Sequence, residues 1–421
     1  MFSKGRLRQK VNEEIEKVQD IMKFYGIPCW IMYCDEKSDP YFARIVTSKT
    51  VVPAAALISQ TECFLIVHDL DACNVLEHKN VKMISYEREE DLWKEIENAL
   101  SRLDLPEEIA LSYSTIQDAQ VDVMGFGLYS FLKELMTTFY SRKDRKVKFS
   151  SAERLIYAHF DRKNEIAISR MRLAATRALE ILESAFENIR PGMSELDVVK
   201  LVHSLVAQKP SYFTKSGVID EELAWDEHMC PVVLAGPSLQ KGGHTSASKL
   251  VLERGHTVYF DFGVTLTFED GSRWSSDIQR MGYILREGET RPPLEVLKVF
   301  ETLVESIMIG MKAIRPGMKG YEIDQLVRAH IVNAGYPDYN HATGHAIGEL
   351  AHNPGALLGP KDRKLSHLEI QPNGVYTIEP RVPISNGGSI EEMVLVTPDG
   401  GTPLCSQQKA LYLIKQRDWE D

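Results

Sequence analysis

The chain has 421 residues, of which 43% are hydrophobic, with a formal net charge of −11 at pH 7 and an isoelectric point near 5.6. This length supports more than one large core, so we expect at least two domains, while the acidic balance and the lack of a basic, aromatic cluster argue against a nucleic-acid partner. No apolar run reaches the ~18 residues that span a bilayer, and no apolar segment of a secretory signal follows the start, so we expect a cytoplasmic protein without a membrane partner.

The first 150 residues alternate between helical and strand-like patterns, as in a small α/β domain. Apolar residues at helical spacing predict a first helix that ends at Gly26. The charged segment 141–147 is interpreted as a linker, so we place the first domain at residues 1–150. We predict strands at residues 29–34, 56–58, 63–67 and 81–86 and a second helix at residues 92–103.

The cysteines form no Cys-x-x-Cys pair, and several lie in apolar, strand-like runs. We therefore expect reduced packing residues and no disulfides. The six are Cys29, Cys34, Cys63, Cys73, Cys230 and Cys405.

The second domain is placed at residues 155–421 and contains an internal repeat. IRPGMSELDVVKLV at 189–202 recurs as IRPGMKGYEIDQLVRAHIV at 314–332. In each copy a helix ends, Pro-Gly forms a turn, and an acidic residue opens the next amphipathic helix. Helix junctions that merely resemble each other would explain this pattern. A duplication would instead predict two similar half-domains that face each other across a cleft, where binding sites tend to form.

Four carboxylates lie within apolar, strand-like segments of this second domain. Burial of one unpaired carboxylate is costly and burial of four together is far more so, which requires positive charge nearby. An arginine partner would satisfy any one of them. Two divalent cations explain the whole set better, because four carboxylates and one neutral imidazole balance their formal charge. The four are Asp261 in VYFDFGV, Asp277 in WSSDIQRMGYIL, Glu379 in VYTIEPRV and Glu391 in SIEEMVLV.

The imidazole is supplied by HATGHAIGELAH at 341–352, which holds three histidines. On a helix these would share a face, as in a His-Glu-x-x-His zinc helix. However, Ala342 stands where the general-base glutamate belongs, and each of the two glycines would cost a helix about 1 kcal/mol. An extended strand is the better prediction, and it places His341 and His345 on the same face.

The motifs DFG, SSDIQR, HATGHAIG, TIEP, and IEE followed by VLVTPDG resemble the pita-bread metallopeptidases, in particular the aminopeptidase P and prolidase group. The resemblance is strong from about residue 155 and weaker before it. It implies an α+β fold, in which a pita-bread domain of duplicated helix and antiparallel-sheet halves follows a smaller, creatinase-like α/β domain, and it implies a homodimer. The metal ligands that it implies are Asp261, Asp277, His345, Glu379 and Glu391.

The same resemblance implies two divalent metal ions per chain, with Mn²⁺ expected first and Co²⁺, Zn²⁺ or Fe²⁺ as alternatives. Together they would hold a bridging hydroxide and polarise a carbonyl group. Glu379 would serve as both ligand and general base. His244 and His352 would donate hydrogen bonds to the developing oxyanion, and His341 would orient the substrate.

Several positions depart from the family pattern. Ser389 stands where the family usually has arginine, Arg381 replaces the glycine after Glu-Pro, and Asn353 replaces an acidic residue. If Glu379 faces Glu391 across antiparallel strands, Arg381 lies opposite Ser389. The guanidinium that the family usually carries at position 389 would then be supplied from position 381 on the paired strand. Arg381 is predicted to bind substrate or to support the ligand glutamates. The alternative is that Arg381 neutralises nearby carboxylates or points to solvent.

The segment between Asp261 and Asp277 is longer than in the family pattern and reads as an extended hairpin. A two-residue turn at 270–271 would pair residue 264 with 277 and place the two aspartates on opposite faces. A three-residue loop with left-handed Gly271 pairs 263 with 277 and places both on one face. Shared metals require the second arrangement.

These features predict a dinuclear metal-dependent hydrolase, a Xaa-Pro aminopeptidase or Xaa-Pro dipeptidase with peptide substrates. The altered substrate-side residues leave open a small-molecule amidohydrolase or lyase on the same dinuclear scaffold. A binding module that has lost catalysis is disfavoured, because the set of five ligands is intact.

Overall fold

A computed structural model describes residues 4–36, 38–46, 50–73, 80–241 and 245–415. The chain divides into two compact units, Met1–His159 and Phe160–Asp421. Among the helices in these described ranges, none is long and apolar enough to cross a membrane. Four of the six cysteines, Cys29, Cys34, Cys63 and Cys230, are buried, as expected of packing residues.

The first unit is built on a six-stranded mixed sheet in the order β4-β3-β2-β1-β5-β6. The strand β1 pairs antiparallel with β2, and β2 forms the predicted hairpin with β3. Its helices are α1 (Lys4–Tyr25), α2 (Pro40–Ile45), α3 (Asp69–Ala72), α4 (Asp91–Arg102), α5 (Phe126–Ser141) and α6 (Glu153–Asp161), within which the unit ends. Its strands are β1 (Cys29–Cys34), β2 (Ala54–Ser59), β3 (Cys63–His68), β4 (Val81–Tyr86), β5 (Glu108–Leu111) and β6 (Lys148–Ser151).

The core of this unit lies between alternate residues of the sheet and the apolar faces of α4 and α5. Gly26 ends α1 with φ +68°, as its position after the predicted helix required. The interpretation of 141–147 as a linker was wrong. This segment joins α5 to β6, which pairs in parallel with β5 of the same sheet. Its charges mark a solvated turn, which composition alone does not distinguish from a linker.

Over its described residues, the second unit contains five small sheets and two pairs of long helices. Short 3₁₀ turns lie at Gly236–Lys241 and Lys364–His367. Its helices are α7 (Glu165–Asn188), α8 (Glu195–Val206), α9 (Phe213–Ser216), α10 (Leu294–Ala313) and α11 (Gly320–Asn333). Its strands are β7 (Val218–Leu223), β8 (Val232–Ala235), β9 (Thr257–Phe262), β10 (Val264–Phe268), β11 (Arg273–Ser275), β12 (Ile278–Ile284), β13 (Gly344–His345), β14 (Leu357–Leu358), β15 (Val375–Ile378), β16 (Arg381–Val382), β17 (Gly388–Ser389), β18 (Glu392–Thr397), β19 (Gly400–Pro403) and β20 (Tyr412–Ile414).

The internal repeat corresponds to equivalent helix pairs. In each copy the first helix ends before Pro-Gly, and Gly192 and Gly317 adopt positive φ values of +94° and +86°. Equivalent residues of the two copies, Ser194 and Lys319, form antiparallel bridges to later segments. One hydrophobic core lies against α7 and α8 and another against α10 and α11. These paired helix-and-sheet halves are the duplicated architecture that the sequence predicted.

The hairpin between the two aspartates has the predicted register. Thr265 pairs with Ser275 and Thr267 pairs with Arg273. Extended by two residues, this register places position 263 opposite position 277. A three-residue loop closes the hairpin, and Gly271 within it has φ +73°. The same register continues into β9 and β12. Both aspartates therefore lie on one face of the sheet.

Candidate metal centre

The five predicted metal ligands come together in the second unit. Asp261 lies near the end of β9, Asp277 directly precedes β12, and His345 is in β13. Glu379 follows β15 and Glu391 precedes β18, and the register of these two strands places the glutamates opposite each other. Ligating atoms of Asp277, His345 and Glu391 lie within 4.8 Å of one another.

Distances within the cluster place the imidazole among the carboxylates. His345 Nε2 lies 3.6 Å from Asp277 Oδ2 and 3.9 Å from Glu379 Oε1. Asp261 lies close enough to Asp277 for its charge to raise the pKa of that carboxyl, and the Tyr259 hydroxyl donates to Asp261 Oδ2 at 3.3 Å. All five side chains therefore border one small volume.

Burial and mutual repulsion make these carboxylates hard to ionise. Desolvation, followed by the charge of Asp261, raises the pKa of Glu379 from 4.5 to about 8. Desolvation also raises the pKa of Asp261 to about 6. The pKa values of Asp277 and Glu391 are raised well above their usual range by desolvation first and by the neighbouring carboxylates second. A cation bound at the cluster would offset the cost of ionising these carboxylates and lower their pKa values.

The donor set fits divalent metal ions. Both carboxylate oxygens of Glu391 and Oδ1 of Asp277 are buried and have no hydrogen-bond partner among the described residues. Buried acceptors without donors are costly, and oxygen-rich ligation with one nitrogen suits Mn²⁺, Co²⁺, Fe²⁺ or Zn²⁺. The five side chains can thus hold metal ions.

The segment that carries His345 is extended over a shorter range than predicted. Thr343 and His345 run beside β15, where the Thr343 carbonyl accepts from Glu379 N at 2.7 Å and His345 N donates to Thr377 Oγ1 at 3.1 Å. Beyond residue 347 the chain turns, with Gly348 N donating to the Leu350 carbonyl. The prediction of a strand across the whole of 341–352 was therefore wrong, because only the part next to β15 finds strand partners.

The ring of His345 is oriented by its own segment. Its Nδ1 lies 3.2 Å from the Ala346 carbonyl. Such a contact makes Nδ1 the protonated nitrogen and leaves the lone pair of Nε2 directed at the carboxylates, as metal-binding histidines require.

The other histidines of the motif border the same space. The rings of His352 and His345 have centroids 4.5 Å apart, and His352 is exposed. His341 packs against Tyr339 with centroids 4.9 Å apart. His244, the third accessory histidine predicted from the sequence, lies outside the described residues.

A cavity of about 390 Å³ opens beside the cluster. Its polar lining includes all three histidines of the motif, and its apolar lining includes Trp225, Met229, Val232 and Leu357. This volume is at the low end of the range for ligand pockets, about 300–1,000 Å³. It suits a short ligand with one apolar group.

Three residues that support the site, Gln279, Arg280 and Asp324, were not found from the sequence. The amide Nε2 of Gln279 donates to Glu379 Oε2 at 2.9 Å. The fully buried Arg280 pairs with Glu392 at 3.1 Å and donates to the Glu391 carbonyl at 2.7 Å. Asp324 accepts from Thr343 Oγ1 at 2.7 Å. Gln279 lies two residues after Asp277, so strand alternation alone was a signal that it shares the ligand face.

Arg381 lies where the register prediction placed it. It pairs directly with Ser389 across β16 and β17. The side chain is 1% exposed, donates to the Leu239 carbonyl at 2.8 Å and stacks over the ring of Tyr259. Together with Asp261 and Glu379 it lines a second, smaller chamber that adjoins the cluster. Its side chain is therefore directed toward the carboxylates and away from solvent.

The chain is similar to known peptidases. A family model described as metallopeptidase family M24 matches residues 169–398. An uncharacterised peptidase of Bacillus subtilis, YqhT, is 28% identical over 245 residues, which cover 56% of this chain and 61% of the relative. A Xaa-Pro dipeptidase of Pyrococcus horikoshii is 22% identical over 408 residues, covering 95% of this chain and 99% of the relative.

Solved structures extend the likeness to both units. A Xaa-Pro dipeptidase from Bacillus anthracis superimposes with a TM-score of 0.63 at 22% identity, over 96% of this chain and 99% of the other. The fold is therefore that of such proteins, with an N-terminal unit followed by a pita-bread domain.

Proposed function

The chain belongs to metallopeptidase family M24, a family of metal-dependent peptidases, and from that premise we propose that it is a Xaa-Pro peptidase with two divalent ions. The observation that carries the proposal is the convergence of four carboxylates and one imidazole beside a cavity that suits a short peptide. Relatives named Xaa-Pro dipeptidase support the choice of substrate.

In this proposal the ions, Mn²⁺ first among the candidates, are held by Asp261, Asp277, His345, Glu379 and Glu391. When bound, such ions lower the pKa of water and polarise a carbonyl oxygen, which supplies nucleophile and Lewis acid together. The orphaned oxygens of Asp277 and Glu391 supply the negative charge that holds them.

Glu379 acts as the general base. Its Oε2 is occupied by the Gln279 amide, so its Oε1, which faces His345, is the oxygen available to ligand or water. It takes the proton of the attacking water and passes it to the leaving nitrogen. Proton transfer by a positioned carboxylate of this kind contributes about 10²–10⁴-fold to rate.

The accessory histidines act on the substrate. His352 and His341 line the cavity, so His352 can donate to the oxyanion while His341 orients the peptide. His244 is proposed as a further oxyanion donor on its motif alone. The apolar wall formed by Trp225 and Met229 receives the substrate's apolar side chain or its proline ring.

A panel of short peptides tests this function. Chelator-treated protein is reconstituted with Mn²⁺, Co²⁺ or Zn²⁺ and assayed on Xaa-Pro dipeptides, Xaa-Pro-Yaa tripeptides, and matched dipeptides with alanine in place of proline. We expect metal-dependent cleavage that prefers proline, and the small cavity favours dipeptides. Cleavage of none of these in protein that has bound metal would reject a Xaa-Pro peptidase, and small non-peptide amides would then be tested on the same preparation.

A further inference from the structure

A small polar chamber adjoins the metal centre and shares Asp261, Gln279, His341 and Glu379 with the lining of the main cavity. Its volume is about 20 Å³, and about 10–15 Å³ suffices for one water molecule when polar partners are present. Its lining consists of Tyr259, Asp261, Gln279, His341, Glu379, Arg381 and Ser389.

Two buried groups in this lining have unused hydrogen-bonding atoms. Arg381 Nε is a donor and Gln279 Oε1 is an acceptor, and neither has a partner among the residues that the structure describes. Arg381 is 1% exposed and Gln279 is 3% exposed. Leaving such groups unsatisfied is costly, so a molecule that both accepts and donates is favoured between them.

We propose that one ordered water molecule in this chamber links Arg381 to Gln279, and that both are positioning residues for Glu379. The inference rests on the proposed metal centre and general base. Water accepts from Arg381 Nε and donates to Gln279 Oε1, and Gln279 Nε2 donates to Glu379 Oε2.

Arg381 determines which atoms donate and which accept in this chain of hydrogen bonds. A guanidinium has donors only, so the water must turn its lone pair to Arg381 and a hydrogen to the amide oxygen. The amide NH₂ of Gln279 must then face Glu379. Glu379 is thereby held with Oε2 as an acceptor and Oε1 directed to the cluster. The arginine at 381, opposite Ser389, thus supports a ligand glutamate without touching the substrate.

The first test is a crystal structure of the Mn²⁺-loaded protein. We expect a water molecule within hydrogen-bond distance of both Arg381 Nε and Gln279 Oε1, and its loss in Arg381→Met. A chamber that holds no water, or a water that contacts neither atom, would overturn the proposal whatever the substrate proves to be.

The second test is calorimetric titration of Mn²⁺ into the metal-free protein. Gln279→Met keeps the side-chain volume and removes the donor to Glu379, and we expect about 10–100-fold weaker binding, as is typical when a partner of a metal ligand is lost. Gln279→Leu serves if the methionine variant does not fold. The control is Arg177→Met, which removes another buried guanidinium, paired with Glu221, and should leave the Mn²⁺ affinity unchanged. Unchanged affinity in both folded Gln279 variants would overturn the link to Glu379.

The third test separates positioning from substrate binding by Arg381. With a cleaved peptide, Arg381→Met should lower kcat at least tenfold with little change in KM, and Arg381→Lys should recover part of it because it keeps a donor. A raised KM with unchanged kcat would mean that Arg381 anchors the substrate directly. If no peptide is cleaved, the crystallographic and calorimetric tests still decide the inference, and only the proposed function fails.

Discussion

Metal removal should make the stability of this protein fall as the pH rises. In the metal-free protein, burial raises the pKa of Glu379 from 4.5 to about 8. Between these two values the folded state retains a proton that the unfolded chain has released. Stability therefore falls with rising pH across that window, and the stabilising contribution is complete only below the unfolded pKa. Asp261, with a pKa of about 6, acts in the same direction over a narrower range.

The size of the effect follows from the shift at Glu379. One pKa unit corresponds to about 1.4 kcal/mol, so Glu379 alone should remove about 3 kcal/mol of folding free energy between pH 5.5 and 8. At about 2–4 °C per kcal/mol for a domain of this size, the melting temperature should fall by about 6–12 °C. Saturating Mn²⁺ should abolish this slope, and at 100 times its Kd it should add about 2.7 kcal/mol.

The assay is thermal unfolding of chelator-treated and Mn²⁺-loaded protein at constant ionic strength from pH 5.5 to 8. Glu379→Gln is the matched control, because it removes one titrating group and should make the slope of the metal-free protein shallower, while Asp261, Asp277 and Glu391 retain the rest of it. A metal-free protein whose melting temperature is constant or rises over this range would show that the carboxylates are not held together as described.

Further predictions concern metal content, catalysis and support of the site. Elemental analysis of reconstituted protein should give two divalent ions per chain, and a value well under one would contradict the dinuclear site. Glu379→Gln should remove most peptidase turnover while the circular dichroism spectrum is unchanged; near-normal activity with saturating metal would refute its role. Arg381→Ala should reduce activity and added Ser389→Arg should restore part of it, since the two positions are directly paired, so unchanged kinetics in the single variant would rule out the exchange. Arg280→Met should lower the free energy of unfolding by about 3–5 kcal/mol, because it leaves Glu392 buried without its charge partner. Urea denaturation measures this, and the double variant with Glu392→Met should be more stable than the two single losses together predict.

Much of the candidate site could be predicted from local patterns. Asp261 and Asp277 stand out as acids within apolar strands, and the alternation of strand side chains then required the loop at Gly271 to have three residues. The same arithmetic placed Arg381 opposite Ser389. These predictions succeeded because strand periodicity is a property of the backbone and applies before any tertiary contact is known.

What the sequence by itself determined, then, is the set of chemical groups, the faces on which they lie and the duplicated helix–turn–helix frame. Only the tertiary structure decided that the extended segment ends soon after His345, that segment 141–147 is a turn within one sheet, and that Gln279 contacts Glu379. Each of these depends on which distant segment supplies a hydrogen-bond partner. Residues 279 and 379 are one hundred positions apart. The local periodicity of a sequence does not determine which backbone or side-chain groups come into contact across such a separation.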